Sequence, residues 1–432
     1  MLNTGQKNAL SAITKWYRSP ALYLILDGAG GTGKSYLVNE LLNSLVGAVP
    51  LLLAPTNEAL RQLSEKVDGD YTYRTLHSAL GITPSSATKE LKFEQQGLPA
   101  IWESHNLAII DEASMVDEYI LKILTDIGIK ILFIGHKSQL PPVIIRRKLA
   151  DKCASPVFDK GYPVITLTEP MRNIGDLWHF NNHLELMIYN DERTIPNTFD
   201  KSKSELSAII DNSIEDFLSG DTKVVLWSNE GVDRWNDKIR EIIHGSIAKT
   251  NKYLKGDKII LTSPYIPLNH VEKCTDDAIN KIYKKPYDII YSNTKATVRS
   301  CTEVTAVFNH KISFVCYKII ADIEGERVII YTCKYQEDKD KLAEYYEHLA
   351  WSCKTKQAKE NAFKKRRFIL SILADVKHFF SASSHRLQGS SVPNVIVINS
   401  DIAKNANQIE QKKCRYVACS RAIHNLYFYR GI

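Results

Sequence analysis

The sequence contains Gly28-Ala-Gly-Gly-Thr-Gly-Lys-Ser35, which fits the pattern G-x-x-x-x-G-K-[ST] at every position. An apolar run precedes it at residues 22–26, and a segment with helical spacing follows at residues 36–45. Glycines let such a loop curl so that its N–H groups point at phosphate oxygens, and the start of the helix adds partial positive charge. The stretch therefore predicts a phosphate-binding loop between a strand and a helix.

The first 170 residues alternate between short apolar runs and segments with helical spacing. The runs occupy residues 22–26, 49–53, 107–110, 130–134 and 164–167, and the helical segments occupy residues 36–45, 57–67 and 117–127. Short strands that are apolar throughout indicate a parallel sheet covered by helices on both faces. A second pattern of this kind begins at residues 224–227, stops, and resumes at residues 395–399. The chain is therefore predicted to be an α/β protein with a second sheet interrupted by a smaller, partly β insertion.

The composition is that of an ordinary globular protein. Hydrophobic residues make up 44% of the 432 residues and charged residues 24%, which excludes a wholly disordered or fibrous chain. A net charge of +7 is compatible with a phosphate-rich partner but does not require one. The eight cysteines include no C-x-x-C pair, and no apolar run approaches the roughly 20 residues that cross a bilayer. We therefore expect a soluble protein of the cytoplasm, a reducing compartment, with no membrane contact.

Two carboxylates, Asp111 and Glu112, directly follow the apolar run at residues 107–110. In a parallel sheet this position lies at the carboxyl edge, beside the phosphate-binding loop. ATP and Mg²⁺ are the expected cofactors: Lys34 would reach the β- and γ-phosphates, and Ser35 and Asp111 would hold the metal. Glu112 would orient and deprotonate the attacking water. A pair of acids at this position favours ATP hydrolysis over phosphoryl transfer to a small acceptor.

Eight further signatures follow one another along the chain. They are Thr4-Gly-Gln-Lys-Asn-Ala-Leu10, Leu53-Ala-Pro-Thr-Asn57, Thr75-Leu-His77, Asp111-Glu-Ala-Ser114, Gly135-His-Lys-Ser-Gln-Leu-Pro-Pro142, Leu167-Thr-Glu-Pro-Met-Arg172, Ser383-Ser-His-Arg-Leu-Gln-Gly-Ser-Ser391 and Tyr416-Val-Ala-Cys-Ser-Arg-Ala422. In this order they resemble the motifs of a superfamily 1 helicase, over nearly the whole chain apart from residues 240–380. The chain is most similar to the compact phage Dda-like helicases, of the 5′→3′ subgroup, and more distantly to the RecD group.

The resemblance implies two RecA-like P-loop domains with parallel sheets, a small hairpin insertion in the first and a partly β accessory insertion in the second. The first motor domain, 1A, would occupy residues 1–80 and 106–175, and the hairpin, 1B, residues 81–105. The second motor domain, 2A, would occupy residues 176–256 and 381–432, and the accessory domain, 2B, residues 257–380. ATP would bind between the motor domains, and single-stranded DNA would run across both.

The resemblance also implies further nucleotide contacts. Gln6 would bind the adenine edge, Gln139 would sense the γ-phosphate, and Gln388 would also contact the nucleotide. Arg172 and Arg421 would act as arginine fingers, which stabilise the charge on the transferring phosphoryl group. The loop residues that would surround the phosphates are Gly28, Ala29, Gly30, Gly31, Thr32, Gly33, Lys34 and Ser35.

A motor on a single strand needs phosphate contacts for grip and aromatic faces for the bases. The motif positions that would contact DNA are Pro55, Thr56, Asn57, His77, Ser384 and His385. Phe93 matches the apolar residue at the tip of a strand-separating hairpin, where it would act as a wedge; the alternative is a small local core under a loop. Two positions depart from the family pattern, since His136 replaces the usual Asp of its motif and Asn57 replaces a histidine.

We therefore predict an ATP-dependent DNA helicase that moves 5′→3′ on single-stranded DNA, engages junctions of single- and double-stranded DNA, and acts as a monomer. Replication or recombination proteins, such as a single-strand-binding protein, are candidate partners, and a phage source would place the protein in the host cytoplasm. Two alternatives are a translocase that displaces bound proteins with little unwinding and a DNA-binding recruitment module with a vestigial nucleotide site. The joint presence of Lys34, Glu112, Gln139, Arg172 and Arg421 disfavours the recruitment module.

Overall fold

The computed structural model describes residues 2–84, 93–95, 97–142, 155–171, 175–190, 194–268, 288–308 and 312–431. Across these ranges the strands form two parallel sheets, one antiparallel sheet and a small hairpin. No helix in them is long and apolar enough to cross a membrane. The mixed α/β architecture with two parallel sheets is the one that the sequence predicts.

The first parallel sheet consists of β1 (Tyr23–Gly28), β2 (Pro50–Ala54), β3 (Thr72–Thr75), β6 (Leu107–Ile110), β7 (Lys130–Gly135) and β8 (Val164–Leu167). Its spatial order is β3-β2-β6-β7-β1-β8. The accompanying helices are α1 (Thr4–Arg18), α2 (Lys34–Ser44), α3 (Asn57–Ser64), α4 (Leu76–Ala79) and α5 (Glu118–Asp126). Leu52, Ile109 and Leu132 are wholly buried, as expected for central strands that helices cover on both faces. The five predicted apolar runs all form strands, whereas β3 is polar and lies at the edge of the sheet.

A hairpin projects from the first sheet. Its strands β4 (Ile82–Pro84) and β5 (Phe93–Gln95) pair antiparallel, with Pro84 opposite Phe93. Gly81 forms the base: its φ is +62°, and a β-carbon there would lie 2.1 Å from the carbonyl oxygen of Gly97. A side chain at residue 81 would therefore clash with the returning chain. The Phe93 backbone belongs to this hairpin, while its side chain lies outside the described part of the structure.

The second parallel sheet consists of β9 (Thr222–Leu226), β15 (Ser381–Ser383), β16 (Val392–Ile398) and β17 (Ala422–Tyr429). Its spatial order is β15-β9-β16-β17. The helices of this part are α6 (Asp176–Tyr189), α7 (Lys203–Asn212), α8 (Ile214–Ser219), α9 (Asn229–His244), α10 (Ile247–Thr250), α13 (Ser384–Leu387), α14 (Asn399–Ile402) and α15 (Gln408–Ser420). Val224, Val225 and Ile396 are wholly buried, so this sheet too is covered on both faces.

The antiparallel sheet lies between β9 and β15 in the sequence. It consists of β10 (Lys258–Leu261), β11 (Lys295–Phe308), β12 (Ile312–Ile323), β13 (Glu326–Cys333) and β14 (Val376–His378), in the order β13-β12-β11-β10-β14. Two helices accompany it, α11 (Gln336–Trp351) and α12 (Lys356–Ser371). The predicted partly β insertion is therefore present, between strands of the second parallel sheet.

A buried ion-pair cluster ties the antiparallel sheet to α9. The wholly buried Asp257 carboxylate lies 3.1 Å from Arg240 Nη2 and 2.8 Å from His244 Nε2. It also accepts a hydrogen bond from the Leu254 N–H at 2.8 Å. Burial alone would raise the pKa of Asp257, but His378, the Leu254 N–H and the Arg240 charge hold this pKa well below its usual range. The cluster therefore joins the start of the antiparallel sheet to a helix of the second parallel sheet.

Candidate nucleotide cleft and nucleic-acid groove

The glycine-rich stretch at residues 28–35 forms the loop between β1 and α2, at the carboxyl edge of the first sheet. Gly33 has a φ of +79°, in the left-handed region that favours glycine. A β-carbon at Gly33 would lie 2.3 Å from Nε2 of Gln6, which is buried on α1. That Nε2 donates to the carbonyl oxygens of Thr32 and Gly33, each at 3.4 Å. The residue predicted to bind adenine therefore lies directly against the phosphate-binding loop.

Lys34 is the first residue of α2, and its amine folds back onto the loop. Its Nζ donates to the carbonyl oxygens of Gly28 at 2.6 Å and Ala29 at 3.0 Å. Burial lowers the pKa of Lys34, and the nearby carboxylates of Glu112 and Asp111 oppose this effect. Because both current partners are neutral carbonyls, an incoming phosphate would give the amine a stronger, anionic partner.

Asp111 and Glu112 follow β6 beside this loop. Asp111 Oδ1 accepts a hydrogen bond from the Glu112 N–H at 2.9 Å. Burial, together with the Glu112 charge, raises the pKa of Asp111 to about 6, although the charges of Lys34 and Lys66 act in the opposite direction. Glu112 has a φ of +52°, uncommon for a residue other than glycine, and its buried Oε2 has no hydrogen-bond partner among the described atoms. These residues fit Mg²⁺ at Asp111 and the neighbouring Ser35, with a water at Glu112.

A chain of hydrogen bonds crosses the cleft between the two parallel sheets. Ser114 Oγ donates to Gln139 Oε1 at 3.0 Å, and both residues lie in loops of the first sheet. Gln388, just after α13 of the second sheet, donates through Nε2 to the same Ser114 Oγ at 3.0 Å. The same Nε2 also donates to the Leu140 carbonyl oxygen at 3.2 Å. The predicted γ-phosphate sensor and the predicted second-sheet glutamine are thus connected through one hydroxyl group.

The second sheet also brings a positive charge to the loop. Arg421 is buried and directly follows α15. The pKa of Lys34 is lowered mainly by burial, and the nearby Arg421 charge acts in the same direction. The helix itself contacts the loop, since a β-carbon at Gly30 would lie 3.7 Å from the Ser420 carbonyl oxygen. One predicted arginine finger therefore lies at the cleft, and the other, Arg172, lies outside the described residues.

Two adjoining clefts run along the junction of the three sheets, with volumes of about 550 Å³ and about 360 Å³. Their lining includes basic side chains and an aromatic ring, namely Arg61, Lys66, Lys223, Lys258, Lys295, Arg386 and Phe379. The Lys295 amine lies 5.1 Å from the centroid of the Phe379 ring. Cations beside an aromatic face are the chemistry that binds a single nucleic-acid strand. We call the two clefts together the groove.

Three of the predicted DNA contacts line the groove: Thr56, Asn57 and His385. Thr56 also begins α3, where its side chain accepts a hydrogen bond from the Ala59 N–H. Pro55 immediately precedes these residues and is partly exposed. The motif positions after β2 and β15 are therefore brought to one surface from two different sheets.

Two other predicted contacts lie elsewhere. His77 is half-buried on α4 and lines neither cleft, and burial lowers its pKa. Ser384 is wholly buried, and its hydroxyl donates to the Leu226 carbonyl oxygen at 3.1 Å. A DNA contact is not available to the Ser384 side chain in this structure, because the turn from β15 into α13 directs the hydroxyl into the second sheet. The sequence pattern identified the motif but not the direction of this side chain.

Sequence reasoning missed the basic residues of the groove that lie outside motifs. Lys258 and Lys295 come from the antiparallel sheet, a region without recognisable motifs, and Lys223 comes from β9. Among the basic residues of the groove, Arg386 could have been identified from sequence, because it lies inside the helicase-like motif at residues 383–391. Residues from three separate segments converge here, which no local sequence pattern can indicate.

Comparison with known proteins gives similarities of sequence and of fold. A family model described as an AAA domain matches residues 1–188. The chain is 26% identical to the ATP-dependent DNA helicase dda of Enterobacteria phage T4 over 61% of each protein. It is 30% identical to the ATP-dependent DNA helicase Pif1 of Campylobacter jejuni over 38% of this chain and 40% of that protein. Each of these two alignments therefore spans less than two thirds of either protein.

A solved structure resembles the chain over almost its full length. Pif1 helicase from Bacteroides, in complex with ADP-AlF3 and single-stranded DNA, superposes with a TM-score of 0.52 at 15% identity. The superposition covers 99% of this chain and 92% of the other. The shared fold thus includes both parallel sheets and the antiparallel sheet.

Proposed function

We propose that the chain, which is similar to the helicases Dda and Pif1, is a superfamily 1 DNA helicase that hydrolyses ATP to move 5′→3′ along single-stranded DNA and to separate a duplex. The hydrogen-bonded chain from Gln139 through Ser114 to Gln388 is the observation that carries this proposal. It links the nucleotide cleft of the first sheet to the segment of the second sheet that lines the groove.

The cleft contains the protein groups that ATP hydrolysis requires. Lys34 would exchange its loop carbonyls for the β- and γ-phosphates, with Gln6 beside the adenine. Glu112 would hold the attacking water at Oε2, which has no hydrogen-bond partner in the described part of the chain, and would accept its proton. Arg421 would stabilise the charge that develops on the phosphoryl group. Mg²⁺, held by Ser35 and Asp111, would supply positive charge between the phosphates.

Hydrolysis would be coupled to strand grip through the bridging chain. Gln139 would sense whether a γ-phosphate is present, and a change in its position would pass through Ser114 to Gln388. Gln388 directly follows α13, which carries His385 on the wall of the groove. Opening and closing of the cleft would therefore shift one wall of the groove against the other, where Thr56 lies.

We propose that each sheet marks one domain, with the hairpin as a fourth unit. Residues 1–80 and 106–175 would form 1A, and residues 81–105 the hairpin 1B. Residues 176–256 and 381–432 would form 2A, and residues 257–380 the accessory domain 2B. The sheet memberships of β1–β17 support these boundaries, since no strand pairs between the three larger sheets. The hairpin would present Phe93 as the wedge at a junction of single- and double-stranded DNA.

Two assays test the function. ATP hydrolysis is measured with and without single-stranded DNA, and unwinding is measured on duplexes that carry either a 5′ or a 3′ tail. We expect hydrolysis to be stimulated by DNA and unwinding to require the 5′ tail. Lys34→Ala should lose both activities because the phosphates lose their cation. Unwinding confined to 3′-tailed duplexes would contradict the direction, and full activity of Lys34→Ala would contradict the mechanism.

A further inference from the structure

A buried histidine lies between two carboxylates at the boundary of the two motor sheets. His136 follows β7, and its Nδ1 lies 2.9 Å from Oδ1 of Asp27 on β1. Its Nε2 lies 2.9 Å from Oε1 of Glu185 on α6, which is an ion-pair distance without the angle of a hydrogen bond. The exposed fractions of the three side chains are 5% for His136, 7% for Asp27 and 20% for Glu185. One ring thus connects the first sheet to a helix of the second.

The charges of this cluster balance best when the imidazole is protonated. Burial opposes a charge on His136, but Asp27 and Glu185 raise its pKa above the usual value. Burial likewise opposes the charges of the two carboxylates, but His136 holds the pKa of each below its usual value. A buried charge persists only when an opposite charge or hydrogen bonds compensate it. A neutral imidazole would leave two buried carboxylates without a cation between them.

Other titratable or charged side chains face the cluster from every element packed against it. They are Lys34 on α2, Lys137 beside the ring, Tyr189 on α6, and Lys413 and Tyr416 on α15. Lys137 lies 5.0 Å from the centroid of the Tyr189 ring, and Lys413 donates to the Lys137 carbonyl oxygen at 3.0 Å. The Lys34 charge also lowers the pKa of Asp27, but the imidazole ring is the group that lies within 2.9 Å of both carboxylates.

The cluster lies between the phosphate-binding loop and the predicted γ-phosphate sensor. Asp27 directly precedes the loop, and its Oδ1 also accepts a hydrogen bond from the Lys137 N–H at 3.3 Å. Ser138 Oγ donates to Glu185 Oε1 at 2.8 Å, and the next residue is Gln139. The ring is therefore connected through Asp27 to the residue before the predicted phosphate-binding loop, and through Glu185 and Ser138 to the residue predicted to sense the γ-phosphate.

We propose that His136 is a positioning residue for ATP hydrolysis. As an imidazolium between Asp27 and Glu185, it holds α6 of the second motor unit against the nucleotide cleft of the first. We call this ion-paired bridge of Asp27, His136 and Glu185 the clasp. The proposal rests on the ATPase function proposed above. His136 would act through Asp27 and Glu185, so its effect on hydrolysis is indirect. The usual Asp at this motif position would bring three carboxylates together here, so the replacement by histidine and the pair of acids belong to one arrangement.

The sign of the pH dependence follows from the raised pKa. The clasp is intact at low pH and is lost as the pH rises through the pKa that His136 has in the folded protein. Loss of the clasp should lower kcat more than it raises the KM for ATP, because the groups that bind phosphate remain in place. The rate of DNA-stimulated hydrolysis should therefore decline on the alkaline side.

The experiment measures kcat and KM for ATP across pH in the full-length wild type, in Glu185→Gln and in Asp176→Asn. Asp176 is an exposed acid at the start of the same helix and serves as the control. Removing one of the two opposite charges should move the alkaline decline of kcat to lower pH by about 1–3 units. Asp176→Asn should decline where the wild type does. The His136 ring, assigned by its absence in His136→Asn, should titrate by NMR at the same pH as the wild-type decline.

The outcomes separate this proposal from the ATPase function on which it rests. An alkaline decline at the same pH in Glu185→Gln and wild type overturns the clasp while Lys34-dependent hydrolysis stands. A His136 ring that titrates at the usual value for histidine in the wild type also overturns it, whether or not Glu185→Gln folds. Wild-type protein without Lys34-dependent ATP hydrolysis overturns the proposed function itself.

Discussion

Replacing Gln388 with alanine removes the contribution of the second motor sheet to the bridging chain. Two hydrogen bonds are lost, one to Ser114 Oγ at 3.0 Å and one to the Leu140 carbonyl oxygen at 3.2 Å. A neutral hydrogen bond contributes about 0.5–1.5 kcal/mol, so the two together contribute about 1–3 kcal/mol. A coupling free energy of that size corresponds to a factor of about 5–150 in an equilibrium constant. The linkage between the motor sheets should weaken by this factor.

The assay compares the kcat of ATP hydrolysis at saturating single-stranded DNA with the kcat in its absence. The ratio of the two values measures how strongly DNA in the groove acts on the nucleotide cleft. In Gln388→Ala this ratio should fall about 5-fold or more, because a shift of α13 no longer reaches Gln139 through Ser114. A ratio equal to that of the wild type would refute the role of the bridging chain.

Gln411→Ala is the matched control. Gln411 Nε2 also donates to two carbonyl oxygens, those of Ala403 at 3.0 Å and Asn405 at 3.2 Å. All three residues belong to the second motor unit, so these bonds do not cross the cleft. The stimulation ratio of Gln411→Ala should therefore match that of the wild type, and an equal loss in both variants would mean that the effect is general destabilisation.

Three further changes have distinct expected outcomes. Asp257→Asn should destabilise the protein by about 3–5 kcal/mol at neutral pH, since Arg240 loses its buried partner, and thermal unfolding measures this. The stability from Asp257 is present above the usual Asp pKa and lost as the pH falls through its lowered pKa, so the two proteins should converge in acid. Phe93→Ala should keep DNA-stimulated hydrolysis and lose unwinding, and unchanged unwinding would exclude the wedge. Lys295→Ala should reduce the salt slope of single-strand binding, measured by fluorescence anisotropy, by about 0.7, and an unchanged slope would exclude a phosphate contact.

The parts of the fold that sequence could predict are those whose signals are local. The apolar runs of β1, β2, β6 and β7 each form a buried strand, because a run apolar on both faces needs helices on both sides. The run of β8 also forms a strand, but at the sheet edge, where only Leu167 is buried. The loop before Lys34 is likewise specified by its own glycines. By contrast, β3 carries no apolar run, since an edge strand with polar residues does not need one.

The contacts that sequence could not predict join residues from distant segments. Glu185 stands on a helix with no motif, and only the packing of α6 against the first sheet brings it to His136. The sequence shows that histidine replaces the usual Asp at residue 136, but it does not show that Asp27 and Glu185 contact this histidine. Ser384 shows a second limit of prediction from sequence. Its motif specifies the residue type, but the direction of its hydroxyl depends on the turn after β15.

The antiparallel sheet enters and leaves the second motor unit on neighbouring strands. The Phe379 N–H donates to the Lys258 carbonyl oxygen at 3.0 Å, and Ile259 is paired with His378. An insertion whose ends lie side by side disturbs its host least, because the host strands keep their places whatever the insertion contains. Evolution can therefore exchange or reshape this module without rebuilding the motor. Lys295 belongs to this antiparallel sheet and lines the groove. A change of the inserted sheet therefore also changes part of the groove wall, so substrate preference can evolve separately from ATP chemistry.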